Sequence, residues 1–460
     1  MTDDGFDVIV IGAGPAGEVA AGKLAERGRA VALVERELVG GECSYWACMP
    51  SKALLRPGEL LDEIARVPGV ADDAPARGID AARALRRRDE VIHELDDASQ
   101  LPWLEQRGVT LLRGQARLAG ELRVALEPAG GEARVLEARE AVIVATGSSA
   151  LLPPIPGLAE AQPWTNREAT TADAVPETLL VLGGGVVGVE LAQAWSTLGA
   201  RVTLVEAADR LIAREEPFAS MQVAEGLQAR GVELRIGARA TSVERGADGR
   251  VTVALEDGER LSGDELLVGI GRRVRTDDLG LETVGLAPGE PIAVDEQLRV
   301  ADQPWLYAIG DVNGRAQLTH MGKYQASVAA DAICGGALRL RSDGPLSPRV
   351  IFTDPSVAAV GHTLASAQAA GIAAQAVDRD TSGTAGASFH GRNAPGTTRF
   401  VLDAERELLV GATFVGPEVA ELLHAATIAI VGEVPLATLA HAVPAFPTRS
   451  ELWLDLRVDA

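Results

Sequence analysis

Residues 8–11 and 179–182 are uninterrupted apolar runs, each closed downstream by a glycine-rich turn. Short apolar runs that end in a turn read as strands buried on both faces. A helix-compatible segment follows each turn. A second apolar run then follows, at 31–34 and 202–205, ending on Glu35 and Glu206. Strand, turn, helix and strand in that order predict two parallel βαβ units. The stretch Pro153-Pro154-Ile155-Pro156-Gly157 reads as an extended linker, because proline biases its predecessor away from helix. From about Ser342 the pattern changes: 349–355 and 408–415 read as strands, 418–431 and 435–441 as helices.

Length and composition bound the class. A chain of 460 residues implies several domains with ample core. Apolar residues at 47% and charged residues at 23% fit a soluble globular protein. No window reaches the ~18 uninterrupted apolar residues of a membrane span, so no membrane insertion is expected. The net charge of −22 argues against a polyanion-binding surface and hence against nucleic acid as a partner. The start, Met1-Thr2-Asp3-Asp4, is acidic and leads straight into a strand, so neither a signal nor a transit peptide is apparent. With only three cysteines, the expected location is a reducing cytoplasm.

Each βαβ unit carries a G-x-G-x-x-G fingerprint: Gly12, Gly14 and Gly17 in the first, Gly183, Gly185 and Gly188 in the second. Glu35 stands 18 positions after Gly17, and Glu206 stands 18 after Gly188. One fingerprint is weak evidence. Two copies with the same spacing to a strand-terminal acid are strong evidence for two dinucleotide sites. The first glycine makes the tight turn, the second lets the backbone approach a pyrophosphate, and the third allows helix–strand packing. The acid would accept hydrogen bonds from a ribose diol.

Cys43 and Cys48 form a C-x4-C pair in a cysteine-poor chain. In a regular helix their Cα atoms would lie about 8–9 Å apart, too far to bridge, so a bond between them requires an irregular turn. Pro50 suits the first turn of a helix and would leave Cys48 just ahead of its N-terminus, where a thiolate is favoured. Lys52 follows one turn later and is one of three lysines in the chain, with Lys23 and Lys323. Arginine does the remaining basic work, so a lysine there points to a need for a compact ammonium. The pattern reads as a redox-active disulfide.

The segment 40–52 resembles the active-site motif of the class I flavoprotein disulfide reductases, the group of dihydrolipoyl dehydrogenase, glutathione reductase and mercuric reductase. The likeness runs from about Asp7 to Leu456. It implies an α/β fold with two Rossmann-like dinucleotide-binding domains, one inserted in the other, and an α+β C-terminal dimerisation domain. Residues 141–147 resemble the strand and turn that leave the FAD domain, and 306–311 the second FAD motif, with Asp311 on the ribityl chain. The resemblance therefore implies FAD on 1–148 and 273–341, NAD(H) as cosubstrate on 149–272, and a homodimer built by 342–460. It adds Ala116, Thr146, Gly147, Gly271 and Gln317-Leu318-Thr319-His320 as cofactor-binding positions, with Lys52 counted among them. His320 also reads as an ordinary packing or hydrogen-bonding residue.

In such enzymes the second cysteine faces the flavin and the first faces the substrate, which assigns Cys48 and Cys43 to those roles. A lysine four places after the second cysteine pairs with a glutamate near flavin N5; Lys52 and Glu190 fill both positions. At the C-terminus the family's His-Pro-Thr segment, with Glu three residues after the threonine, supplies a proton to the interchange thiol. Here Glu451 is kept, but Phe446 stands at the histidine's place, and phenylalanine transfers no proton. His441, five residues upstream, would need a local rearrangement to substitute. The expected activity is an NADH-dependent, dihydrolipoyl-dehydrogenase-like FAD oxidoreductase with an unidentified small-molecule disulfide or dithiol acceptor. The alternatives are a reductase of quinones or metal ions, which need no acid, and a non-catalytic flavoprotein subunit.

Overall fold

The computed structural model describes residues 5–69, 78–128, 130–391, 394, 396–454 and 456. The acidic start Met1–Asp4, where the leader expectation rests, lies outside them. The chain forms two compact units. The first comprises Met1–Pro50, Asp89–Ser149 and Arg272–Gly344; the second Ser51–Arg88, Ala150–Gly271 and Pro345–Ala460.

In the first unit, strand Gly5–Ile11 lies parallel between Val31–Glu35 and the C-terminal half of Arg134–Val144. Strand Gln303–Ala308 extends the sheet beyond Arg134–Val144, and Thr110–Leu118 extends it beyond Val31–Glu35. Side chains alternate between the faces of a strand. Val8, Val10, Leu33, Ile143 and Tyr307 enter one apolar cluster, whereas Ile9, Ile11, Val34, Val142 and Leu306 enter another. Both faces are covered, which is why these strands read as unbroken apolar runs. Helices Pro15–Glu26 and Thr319–Ile333 pack against each other on the first face.

The second unit repeats this logic on a four-stranded parallel sheet, in the order Glu265–Val268, Thr178–Leu182, Arg201–Glu206, Glu233–Ile236. Leu179, Val181 and Leu204 face one cluster; Leu180, Leu182 and Val205 face the other. The same unit holds a five-stranded antiparallel sheet whose central strands are Ser356–Gly361 and Leu408–Gly416. Helix Leu423–Val431 lies on it. The strand read at 349–355 ends at Ile351, where Thr353 Oγ1 bonds to Pro355 O and turns the chain. The helix read at 435–441 is confined to Leu436–Leu439.

Candidate active site

Gly40 (φ +109°) and Gly41 (φ +58°) take conformations that L side chains rarely adopt, and they open the short helix Gly41–Tyr45 that carries Cys43. Trp46 then leaves helical geometry (φ −135°, ψ 3°). A new helix, Cys48–Arg66, starts at Cys48 itself, not one residue later as read from Pro50. This break brings the two cysteines near disulfide distance. Cys48 Sγ lies 3.4 Å from Thr319 Oγ1, at the start of helix Thr319–Ile333. The Cys43 thiol is pushed up by its hydrogen bond to Cys48 and by burial, while Thr319 and the Lys323 charge pull it down.

Next to Cys43, Glu42 enters an ion cluster that the sequence did not reveal. Arg275 Nη2 lies 2.9 Å from Glu42 Oε1, and Arg272 Nη2 lies 3.7 Å from Glu42 Oε2. Arg272 Nε donates to Ser148 Oγ at 2.7 Å, and Ser148 Oγ donates to Asp311 Oδ2 at 2.5 Å. Burial pushes the Asp311 carboxyl up, against its Ser148 bond and the Arg272 charge. Thr146 Oγ1 donates to Arg275 O at 2.9 Å, and Gly147 O accepts from Arg275 N, tying those two positions to the cluster. Glu18, on helix Pro15–Glu26, is pushed up to about 7 by burial. Lys323 opposes that shift, and Glu35 and Asp97 add to it.

The two fingerprint glutamates do the same thing in their own units. Glu35 Oε2 accepts from Ala13 N and Oε1 from Glu37 N, each at 2.7 Å. Glu206 accepts from Gly184 N and Ala208 N. A carboxylate retains acceptor capacity beyond two such bonds, enough for a diol. A Cβ on Gly12 would meet Ala145 O at 2.5 Å, and one on Gly17 would meet Gly12 O at 1.9 Å. Gly183 and Gly188 are equally closed, against Gly269 O at 2.7 Å and Gly183 O at 1.8 Å. Gly14 is the exception in its turn, facing open space, and Gly185 meets only Gly269 O, at 3.9 Å. Both turns are thus closed at the packing glycines and open at the middle one, as a cradle for a pyrophosphate requires. Of the remaining predicted positions, Ala116 is buried in Thr110–Leu118, whereas Gln317 and His320 are exposed. Leu318 is the N-cap of the Thr319–Ile333 helix. Gly271 O accepts from Leu151 N.

In the second unit Lys52 Nζ lies 2.7 Å from Glu190 Oε2. Phe352 grips both members: its ring centroid is 4.7 Å from Nζ, and its N–H donates to Glu190 Oε1 at 2.9 Å. No sequence pattern marks Phe352. Glu451 Oε2 accepts from Gly386 N at 3.3 Å. Phe446 is 78% exposed, and His441 is exposed too.

Residues 6–326 match the family described as pyridine nucleotide-disulphide oxidoreductase, and 347–457 match the dimerisation domain of that family. The chain belongs to this family. It is 33% identical to the dihydrolipoyl dehydrogenase of Chlorobaculum tepidum, over 99% of this chain and 97% of the relative. It is 34% identical to the mercuric reductase of Acidithiobacillus ferrooxidans, over 95% and 80%. The crystal structure of LpdA from Mycobacterium tuberculosis superposes with a TM-score of 0.84 at 28% identity, covering 96% of this chain and 97% of that one. Pyridine nucleotide-disulphide oxidoreductases use FAD and NAD(P)H, and this member is an FAD-dependent enzyme of mixed α/β fold. Among the described residues, no helix is long and apolar enough to cross a membrane, and no group of metal-binding side chains occurs.

Proposed function

We propose that the protein is an NADH-dependent oxidoreductase in which Cys43 and Cys48 alternate between disulfide and dithiol, delivering electron pairs to a small acceptor. The carrying observation is the broken helix that sets the two thiols near disulfide distance with Cys48 at a helix N-terminus. Residues 1–148 and 273–341 form the FAD domain in this reading, 149–272 the NAD domain and 342–460 the interface of a cytoplasmic homodimer. When bound, FAD supplies hydride acceptance from NADH and two-electron transfer to the disulfide. Gly12, Gly14, Gly17, Glu35 and Asp311 would hold it; Gly183, Gly185, Gly188 and Glu206 would hold NAD(H). Disulfide reduction takes two electrons and two protons and leaves two thiols. The helix terminus favours the Cys48 thiolate, which leaves Cys43 as the thiol for exchange with a substrate.

Phe446 at the acid's position favours a second reading within this framework. Dihydrolipoyl dehydrogenases and mercuric reductases are both among the relatives. An acceptor that needs no placed proton, such as a quinone or a metal ion, suits this chain better than a simple disulfide. Anaerobic titration of the holoenzyme should take up about four electrons per subunit, two in the flavin and two in the cysteines. Uptake of only two would refute the redox pair. Turnover with NADH against lipoamide, low-molecular-weight disulfides, quinones and ferric or mercuric salts would then rank the acceptors.

A further inference from the structure

The charge cluster joined to the cysteine-bearing helix is built around a single residue. Glu42 immediately precedes Cys43 on Gly41–Tyr45 and faces two arginines, Arg275 at 2.9 Å and Arg272 at 3.7 Å. The Glu42 side chain is 17% exposed, those of Arg272 and Arg275 19% and 23%, so water screens the three charges poorly. We propose that Glu42 is the residue that sets the redox poise of the Cys43–Cys48 pair, by cancelling the positive charge of Arg272 and Arg275 beside it. The inference rests on the reading of the two cysteines as a redox pair.

The sign follows from charge. Reducing the disulfide yields thiols that can ionise, and nearby positive charge stabilises the thiolate. A stabilised thiolate favours the dithiol and makes the pair a weaker reductant. Lys323 already contributes positive charge at Cys43. Asp311 also lies near Arg272, at 3.9 Å, but its Oδ2 accepts from Ser148 Oγ. Glu42 is the acid that pairs with both arginines. With it in place the pair stays strongly reducing. Without it, two arginines and a lysine would pull electrons into the dithiol and hold them there.

Glu42 can also matter by pinning the short helix in position, and the variants must separate the two roles. Glu42→Gln keeps the shape and a hydrogen bond to Arg275 but loses the charge; Glu42→Asp keeps the charge. The dithiol–disulfide equilibrium of the holoenzyme would be measured against dithiothreitol buffers, with alkylation and mass spectrometry reading the oxidation state of Cys43 and Cys48. Glu42→Gln should shift the equilibrium roughly tenfold toward the dithiol, about +30 mV for a two-electron couple. Glu42→Asp should stay near the wild type. Arg275→Met should shift the equilibrium the other way, and Glu42→Gln combined with Arg275→Met should return it toward the wild type. A Glu42→Gln potential equal to the wild type, in protein with full flavin content, would overturn the proposal. So would a double variant that adds the two changes in one direction. If wild-type cysteines take up no electrons, the redox-pair reading itself fails, and this inference fails with it.

Discussion

Lys52 Nζ and Glu190 Oε2 lie 2.7 Å apart, but the two partners are buried very unequally: 35% of the lysine side chain is exposed and 4% of the glutamate. Removing either partner therefore has a different cost. Lys52→Met would leave the Glu190 carboxylate with one backbone N–H donor, from Phe352, in a dry site. Glu190→Gln would leave an ammonium that water can reach. Lys52→Met should cost about 1–3 kcal/mol of stability by denaturant unfolding, and Glu190→Gln clearly less. Both should slow flavin reduction by NADH in stopped flow. Phe352→Leu should slow it only a few-fold, since the backbone bond to Glu190 remains.

Preference for NADH over NADPH should follow from Glu206. Its carboxylate is held by Gly184 N and Ala208 N, which would aim negative charge at the 2′-phosphate of a bound NADPH. The two arginines nearest Glu206 in sequence are engaged elsewhere: Arg201 with Glu177 at 2.9 Å and Arg210 with Ala213 O at 2.9 Å. The ratio of kcat/KM for NADH to that for NADPH should exceed one and fall at least tenfold in Glu206→Ala. An equal or higher value for NADPH in the wild type would count against this assignment.

The expected lack of a proton donor at position 446 gives a gain-of-function test. Phe446→His should raise turnover of lipoamide or another simple disulfide, by up to the ~10²–10⁴-fold typical of general acid–base catalysis. Flavin reduction and quinone or metal-ion turnover should change little. A variant with no gain on any disulfide would point to His441 or a substrate-borne group as the proton source.

Glu18 should imprint a pH dependence on stability. Burial holds its folded-state pKa at about 7, against 4.5 for the free side chain. Between those values the folded protein binds more protons than the unfolded chain. The contribution is full below about pH 4.5 and is lost as pH rises through 7, on the order of 3 kcal/mol. Glu18→Gln should therefore be more stable than the wild type at pH 8, by a margin that shrinks toward pH 5. Denaturant midpoints across that range check this; a margin independent of pH would not fit.

Much of this protein was legible along the chain, because its information is local. The runs at 8–11 and 179–182 are strands buried on both faces, and that burial leaves an unbroken apolar signature. The spacing of Gly12, Gly14 and Gly17 is set by one turn and one helix entry, so it survives as a motif. Cys43 and Cys48 were legible for the same reason, and so was the need for a break between them.

Other relationships depended on chain segments far apart in sequence. Glu42 meets Arg275 across more than two hundred positions, and Glu190 accepts from Phe352 across 162. No periodicity encodes such a meeting. Along the chain Phe352 is one apolar position of the strand read at 349–355, and nothing near Glu42 marks its partners. The sequence by itself determined the strand cores, the nucleotide turns and the cysteine pair, since each is specified by neighbours within a few residues. Only the tertiary structure decided which charges Glu42 meets and which ring covers Lys52. Those contacts exist only once segments remote in the chain are brought together within each unit.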